Sequence, residues 1–216
     1  MPKGYGPHDD GSGVAWLQDG RVRLEKRGGL DAWDPSFQEL VESMRTTALI
    51  AHNRKASVGL DVNVNVSHPY TMKFRGEEVA FCHNGGIKTF MTEAQDRKIT
   101  DSLVFLERLI SKVGTLSLED LKTFLVEASA TWEYSSINAL LLTKDSLFAW
   151  RCYDDVKDSE WDRERYCSLY LRESSERICI ASEPVDRKRD WISIPNRTLI
   201  QVKLGGETVE TERLSF

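Results

Sequence analysis

The chain opens, after a glycine-rich entry, with a short apolar run, Val14 to Leu17, and an alternating one, Arg21 to Glu25, separated by Asp19-Gly20. Two strand-length runs about an Asp-Gly pair predict a hairpin. The pattern then shifts to helical spacing. Asp34-Pro35 combines an N-cap residue with a proline suited to the first helical position. Phe37, Leu40, Val41 and Met44 follow as one apolar face. Strand signals return over Thr47 to Asn53, then over Thr71 to Phe74 and Glu78 to His83, the last two forming a hairpin about Arg75-Gly76-Glu77.

Two helices are expected next. Thr100 caps the first, whose buried stripe is Leu103, Leu106, Ile110 and Val113 with Phe105 and Leu109 alongside, and Gly114 stops it. Ser117 with Asp120 resembles a capping box for the second, which carries Leu121, Phe124, Leu125 and Ala128 inward. The remainder reads as strands: Ile137 to Leu142, Leu147 to Tyr153, Tyr166 to Leu171, Arg177 to Ala181 and Thr198 to Lys203. Strands, paired helices and more strands predict an α+β protein with antiparallel sheets covered by helices. No repeat or low-complexity linker divides the chain, so residues 1–216 are expected to form one domain; two small domains are the alternative.

Composition narrows the function classes. Apolar residues make up 40% and charged residues 29%, and the net charge is −5, so nucleic-acid binding is not the default. The basic run Arg187-Lys188-Arg189 is expected to be a solvated loop, and so is the charged stretch from Asp154 to Arg165, with a partner-docking insert as its alternative. The longest apolar stretch, Ile137 to Leu142, is far too short to span a bilayer, and the first residues carry no signal-like apolar run. Cys82, Cys152, Cys167 and Cys179 form no Cys-x-x-Cys pair and read as buried reduced thiols of a cytoplasmic protein.

Candidate chemistry sits in four segments. His52-Asn53-Arg54-Lys55-Ala56-Ser57 runs from a strand end into a loop; Arg54 there is either a forked donor for a carboxylate or a surface arginine with its stem packed down. Phe81-Cys82-His83-Asn84-Gly85-Gly86 ends an apolar strand in an amide and two glycines, which forms either a pair of oxyanion donors or a plain tight turn. Asp101, in Ile99-Thr100-Asp101-Ser102, either receives an ammonium group or complements the helix dipole. His8-Asp9-Asp10-Gly11-Ser12-Gly13-Val14-Ala15-Trp16 enters a strand and is no phosphate loop, and a metal site at His8, Asp9 and Asp10 lacks further ligands.

In order, Gly-Ser-Gly-Val-Ala-Trp, His-x-Arg-x-Ala-Ser, Ser67-His68-Pro69, His-Asn-Gly and Thr-Asp-Ser resemble class II glutamine amidotransferases, which belong to the N-terminal-nucleophile hydrolases. Ile137-Asn138-Ala139-Leu140-Leu141-Leu142-Thr143 and Ala181-Ser182-Glu183-Pro184, with Trp191 and Pro195, look like the stand-alone branch. The resemblance runs from about Gly11 to Val202. It implies a four-layer αββα sandwich of two antiparallel sheets covered by helices. It implies that Arg54 grips a glutamine α-carboxylate with Ser57 beside it, and that Asp101 takes the α-ammonium. The Asn84 side chain and Gly85 N–H would form the oxyanion hole, Gly85 also lining the substrate pocket, while His52, His83 and His68-Pro69 serve the scaffold.

The family's reaction hydrolyses the glutamine side-chain amide through a thioester on an N-terminal cysteine whose α-amine is the base. Here Pro2 follows Met1 and no cysteine precedes Cys82. The expectation is therefore a domain without its first strand and nucleophile, and inactive as it stands. The implied ligand is glutamine or a γ-glutamyl compound, with no cofactor or metal and no membrane, and the ammonia either goes to a separate accepting enzyme or is released. A catalytically inactive glutamine-binding or regulatory module is the alternative, and a purely structural interaction protein is a third.

Overall fold

The computed structural model describes residues 8, 10–29, 34–56, 62–155, 163–174, 177–205 and 210–216. In chain order these form β1 (Gly11–Gln18), β2 (Arg21–Gly28), α1 (Pro35–Ser43), β3 (Leu49–Arg54), β4 (Tyr70–Phe74), β5 (Glu77–Asn84), α2 (Met91–Arg97), α3 (Asp101–Lys112), α4 (Leu118–Thr131), β6 (Asn138–Leu142), β7 (Ser146–Arg151), α5 (Arg163–Tyr166), β8 (Tyr170–Glu173), β9 (Ile178–Ala181), β10 (Ile192–Ser193), β11 (Thr198–Lys203) and β12 (Glu210–Ser215). Short 3-10 turns lie at Val64–Val66 and Lys88–Phe90. The fold is mixed α+β with antiparallel sheets and helices, as expected. The described residues divide into two compact units, one within 1–82 and 141–144, the other within 83–140 and 145–216.

In the first unit β1 is the central strand between β2 and β3, antiparallel to both. Asp19 and Gly20 turn the first hairpin at φ 52° and 69°, the left-handed combination that matches strand twist. The second hairpin turns on Arg75 and Gly76 alone, so Glu77 already belongs to β5. The Asp34 carboxylate accepts N–H bonds from Ser36 and Phe37, as an N-cap should. The apolar face expected of α1 is shallower than its spacing implies: Phe37 is buried, but Val41 is exposed. Segment Asn63–Pro69 lies directly on the first sheet. A Cβ at Gly13 would fall 2.1 Å from the His68 carbonyl oxygen, and one at Gly28 2.2 Å from the Val64 nitrogen. The Lys26 ammonium donates to the Ser67 carbonyl at 2.9 Å and lies over the Tyr70 ring, and burial pushes its pKa down.

In the second unit β11 runs antiparallel between β7 and β12, and β8 pairs with both β9 and β10. Leu169, Leu171, Ile194, Ile200 and Val202 form one apolar cluster, with Ile178 and Ile180 packed against it. Phe105 centres another, in contact with Phe124, Trp132 and Trp150. The buried stripe of α3 is rotated from the expected one: Ser102, Phe105, Leu106 and Leu109 face inward, whereas Leu103 and Ile110 are only half-buried. Leu121, Phe124, Leu125 and Ala128 of α4 are buried as expected. Ser117 accepts the Asp120 N–H, but the Asp120 carboxylate turns to the Thr115 N–H instead of closing a capping box.

Four elements were not anticipated: α2, α5, β10 and β12. Arg97 of α2 is held between Glu93 and Glu107, ion pairs that apolar periodicity does not reveal. The strand expected from Tyr166 begins only at Tyr170, because Arg163–Tyr166 is helical. That helix end is tied down by the buried Arg151, which donates to the carbonyls of Glu164, Cys167 and Ile194. The charged stretch expected at Asp154 to Arg165 lies largely outside the described residues, as does the N-terminal tail.

Candidate active site

Arg54 ends β3 opposite Gly11 of β1, and it is buried. The chain beyond it is folded around Asp10. The Asp10 N–H donates to the Arg54 carbonyl at 3.1 Å, and its carboxylate accepts the Ala56 N–H at 2.7 Å with the Lys55 ammonium 3.4 Å away. The Ala56 amide, helped by Lys55 and Arg54, holds the Asp10 carboxyl below its ordinary range against the opposing effect of burial. A carboxylate ionised at neutral pH thus fixes the strand exit on which Arg54 stands. Ser57 lies outside the described residues.

The second unit carries Asn84, Gly85 and Asp101. Asn84 is the exposed last residue of β5, and Gly85 follows at φ +144°, a conformation that L side chains rarely adopt. Among the described residues neither the Asn84 side-chain amide nor the Gly85 N–H has a hydrogen-bond partner. The turn beyond them is held on both sides of Gly86, whose N–H reaches the Ser135 hydroxyl at 3.1 Å and whose carbonyl accepts the Ser135 N–H at 2.9 Å.

Asp101 opens α3 behind its cap, Thr100, which accepts the Leu103 N–H. Its Oδ2 accepts the Ile87 N–H at 2.7 Å and its Oδ1 accepts the Ser102 N–H at 2.9 Å. The carboxylate therefore does act in the first helical turn, one of its two anticipated roles. Each oxygen keeps a second lone pair for an ammonium donor. It also ties the loop after Gly85 to the helix start. The structure thus brings Asp101 into one network with the Asn84-Gly85 turn, while Arg54 belongs to the other unit.

His83 is buried between these groups. Its Nδ1 lies 2.8 Å from the Ser102 hydroxyl and its Nε2 3.1 Å from the Ser136 carbonyl, with the ring edge-on to Phe105. Burial lowers its pKa, opposed in part by the Asp101 charge and the Ser136 carbonyl. Both ring nitrogens of His83 thus meet groups inside the protein. Ser102 and Ser136 were not singled out from sequence. Ser102 sits in the Thr-Asp-Ser run, which was the available signal; nothing marks Ser136. The His52 and His68 rings meet at a tilt of 41° with centroids 4.3 Å apart, and His68 precedes a cis proline.

The cysteines are free. Cys82, Cys152 and Cys167 are buried as anticipated, but Cys179 is only half-buried. Burial pushes the Cys82 thiol far above its ordinary range, and the Cys152 thiol is raised for the same reason. Burial favours the neutral thiol in both. Among the described residues no group of His, Cys, Asp and Glu is placed to hold a metal ion, and no helix is long and apolar enough to cross a membrane.

Comparison with known proteins bears on the same residues. The chain is 25% identical to an uncharacterised protein of Methanocaldococcus jannaschii over 96% of its own length, and spans 65% of that protein's length. It is 24% identical to a γ-glutamyl-hercynylcysteine sulfoxide hydrolase of Mycobacterium tuberculosis, over 93% of this chain and 78% of that one. Its fold is shared with a glutamine aminotransferase class-II domain protein of Silicibacter pomeroyi, at a TM-score of 0.64 and 21% identity, covering 95% of this chain and 92% of that one. Glutamine phosphoribosylpyrophosphate amidotransferase of B. subtilis gives a TM-score of 0.64 at 14% identity, with 95% of this chain covering 43% of that one. The fold is the N-terminal-nucleophile hydrolase type expected. Residues 2–157, a range that includes the candidates Arg54, Asn84, Gly85 and Asp101, match the class-II glutamine amidotransferases, and the chain belongs to that family.

Proposed function

We propose that the protein binds the γ-glutamyl head of glutamine or of a γ-glutamyl compound and serves hydrolysis of its side-chain amide. The observation that carries this reading is the donor pair on adjacent residues at the end of β5, the Asn84 amide and the Gly85 N–H at φ +144°, in a chain of the class-II family. In the reading Arg54 forks onto the α-carboxylate with Ser57 beside it, and Asp101 accepts the α-ammonium. Opposite charges at the two ends of the amino acid would fix its orientation.

A thiolate adds to the amide carbon, and the carbonyl oxygen gains the negative charge that Asn84 and Gly85 stabilise. Collapse expels ammonia, or an amine, and leaves a thioester, which water converts to glutamate and free thiol. Donors of this kind contribute about 3 kcal/mol each to such a step. The raised thiols of Cys82 and Cys152 fit the nucleophile's role poorly. The reading requires an N-terminal cysteine on the mature protein, whose own amine takes the thiol proton. Free, largely buried thiols favour a reducing compartment such as the cytoplasm, and a separate enzyme is the natural acceptor for released ammonia.

The likeness to the γ-glutamyl-hercynylcysteine sulfoxide hydrolase favours a γ-glutamyl metabolite over glutamine as substrate. Protein isolated from its natural source decides between them. Its N-terminal peptide is sequenced by mass spectrometry, and its rates on L-glutamine and on γ-glutamyl dipeptides are compared. An N-terminal cysteine with turnover of either substrate is expected. A cysteine terminus with turnover of neither would contradict the reading. A mature terminus at Met1 or Pro2, with glutamine bound but not hydrolysed, would make the protein a glutamine-sensing module instead.

A further inference from the structure

The Asn84-Gly85 turn rests on a rail built at the exit of β7. The Ile137 N–H donates to the Cys152 carbonyl at 2.8 Å, the Asp154 N–H donates to the Ser135 carbonyl at 3.2 Å, and Ser136 bridges Tyr153. Asn138 closes the rail by accepting the Cys152 N–H at 2.7 Å. Gly85 is packed on it, with the Ser136 carbonyl oxygen 2.0 Å from where a Cβ would stand. Gly86 meets Ser135 twice. Its carbonyl accepts the Ser135 N–H at 2.9 Å, and its N–H donates to the Ser135 hydroxyl at 3.1 Å. The first bond holds the Gly86–Ile87 peptide plane, which the Asp101 carboxylate also holds through the Ile87 N–H. The second holds the Gly85–Gly86 plane, and among the described residues it is the one hydrogen bond on that plane.

A plane that joins two glycines meets no Cβ on either side, so little besides that bond resists its rotation. Strand β5 fixes Gly85 from one side, through Asn84, and the Gly85–Gly86 plane fixes it from the other. We propose that Ser135 is a positioning residue: its hydroxyl latches the Gly85–Gly86 plane to the rail and so keeps the Gly85 N–H in one orientation for the developing oxyanion. The inference rests on the oxyanion role proposed above for Gly85. Ser135 is assigned no contact with substrate; it acts through Gly86. Ser135→Ala keeps the backbone bond to the Gly86 carbonyl but frees the Gly86 N–H to turn toward water, so a second conformation of the turn becomes populated. The side chain is exposed, so its removal opens no cavity and the fold is retained.

Asn84-Gly85 is the sole Asn-Gly pair in the sequence, so a chain carrying ¹³C-carbonyl asparagine and ¹⁵N-glycine gives one carbonyl-filtered amide signal, that of Gly85. A single signal free of exchange broadening is expected in the wild type and in Ser135→Thr, which keeps the hydroxyl. In Ser135→Ala the signal is expected to split, or to acquire the broadening of microsecond-to-millisecond exchange. A change of shift alone reports only the lost neighbour. A Ser135→Ala signal that stays single and sharp, whatever happens to the melting temperature, would overturn the inference. Titrating the wild type with L-glutamine separates the two claims, since the Gly85 signal is expected to move as the site fills. A wild-type signal indifferent to bound glutamine would remove the function assigned to the turn, whereas an unbroadened signal in Ser135→Ala would refute the latch however that titration ends.

Discussion

Gly85 and Ser136 are packed so closely that no side chain fits between them: a Cβ on Gly85 would stand 2.0 Å from the Ser136 carbonyl oxygen, at a backbone φ of +144°. The strain and the clash act together in Gly85→Ala. The substitution is expected to destabilise the protein by about 3 kcal/mol, combining an unfavourable φ with overpacking. Urea unfolding of the two proteins measures it. A change below about 0.5 kcal/mol, the range of ordinary surface substitutions, would mean that the turn relaxes and is not the rigid donor mount described.

Arg54→Lys preserves the charge but not the planar fork. Glutamine binding is expected to weaken at least tenfold, which corresponds to about 1.4 kcal/mol, with the fold retained. Equal affinity of the lysine variant in equilibrium dialysis would show that the carboxylate is held elsewhere.

Much of this was legible in the sequence, and the reasons differ by residue. Both hairpin turns announce themselves because Asp19-Gly20 and Arg75-Gly76 must take positive φ, which few residue pairs do. Asp34, Thr100 and Ser117 cap helices through local geometry that short range alone decides. Helix α2 shows no apolar period because it is seven residues long and buries only Ala94, and Tyr166 lies in a segment that the buried Arg151, contributed from elsewhere in the chain, holds helical. At the site, Asn84, Gly85 and Asp101 lie in ordered motifs, whereas Ser136 is found only by folding, since its contribution is a backbone carbonyl. Asp10 likewise looked like one carboxylate among several until the Ala56 amide was placed on it.

His83 gives stability a pH dependence. Burial lowers its folded pKa below the ordinary 6.5. Between the two values the unfolded chain takes up a proton that the folded ring refuses, so stability is fully present above about pH 6.5 and declines as the pH falls toward the folded value. His83→Gln is expected to remove that decline. Urea midpoints of both proteins between pH 7.5 and 5, values chosen to bracket the ordinary imidazole range, provide the comparison. Parallel curves would mean that the ring titrates normally.

Thiol reactivity tests the exclusion of the internal cysteines. In the native state Cys179, half-buried, is expected to react first with a chromogenic disulfide, and Cys82, Cys152 and Cys167 only at the rate of unfolding. Cys82→Ala is expected to leave glutamine binding unchanged. Rapid modification of Cys82, or loss of binding in its alanine variant, would reopen its candidacy as the nucleophile.

Calorimetric titration of the chain with L-glutamine tests most directly whether these residues form a γ-glutamyl site. Saturable binding is expected in the wild type, weakened at least tenfold in both Arg54→Ala and Asp101→Ala, about 1.4 kcal/mol or more in each. Absence of binding, or binding that survives both substitutions, would contradict the assignment.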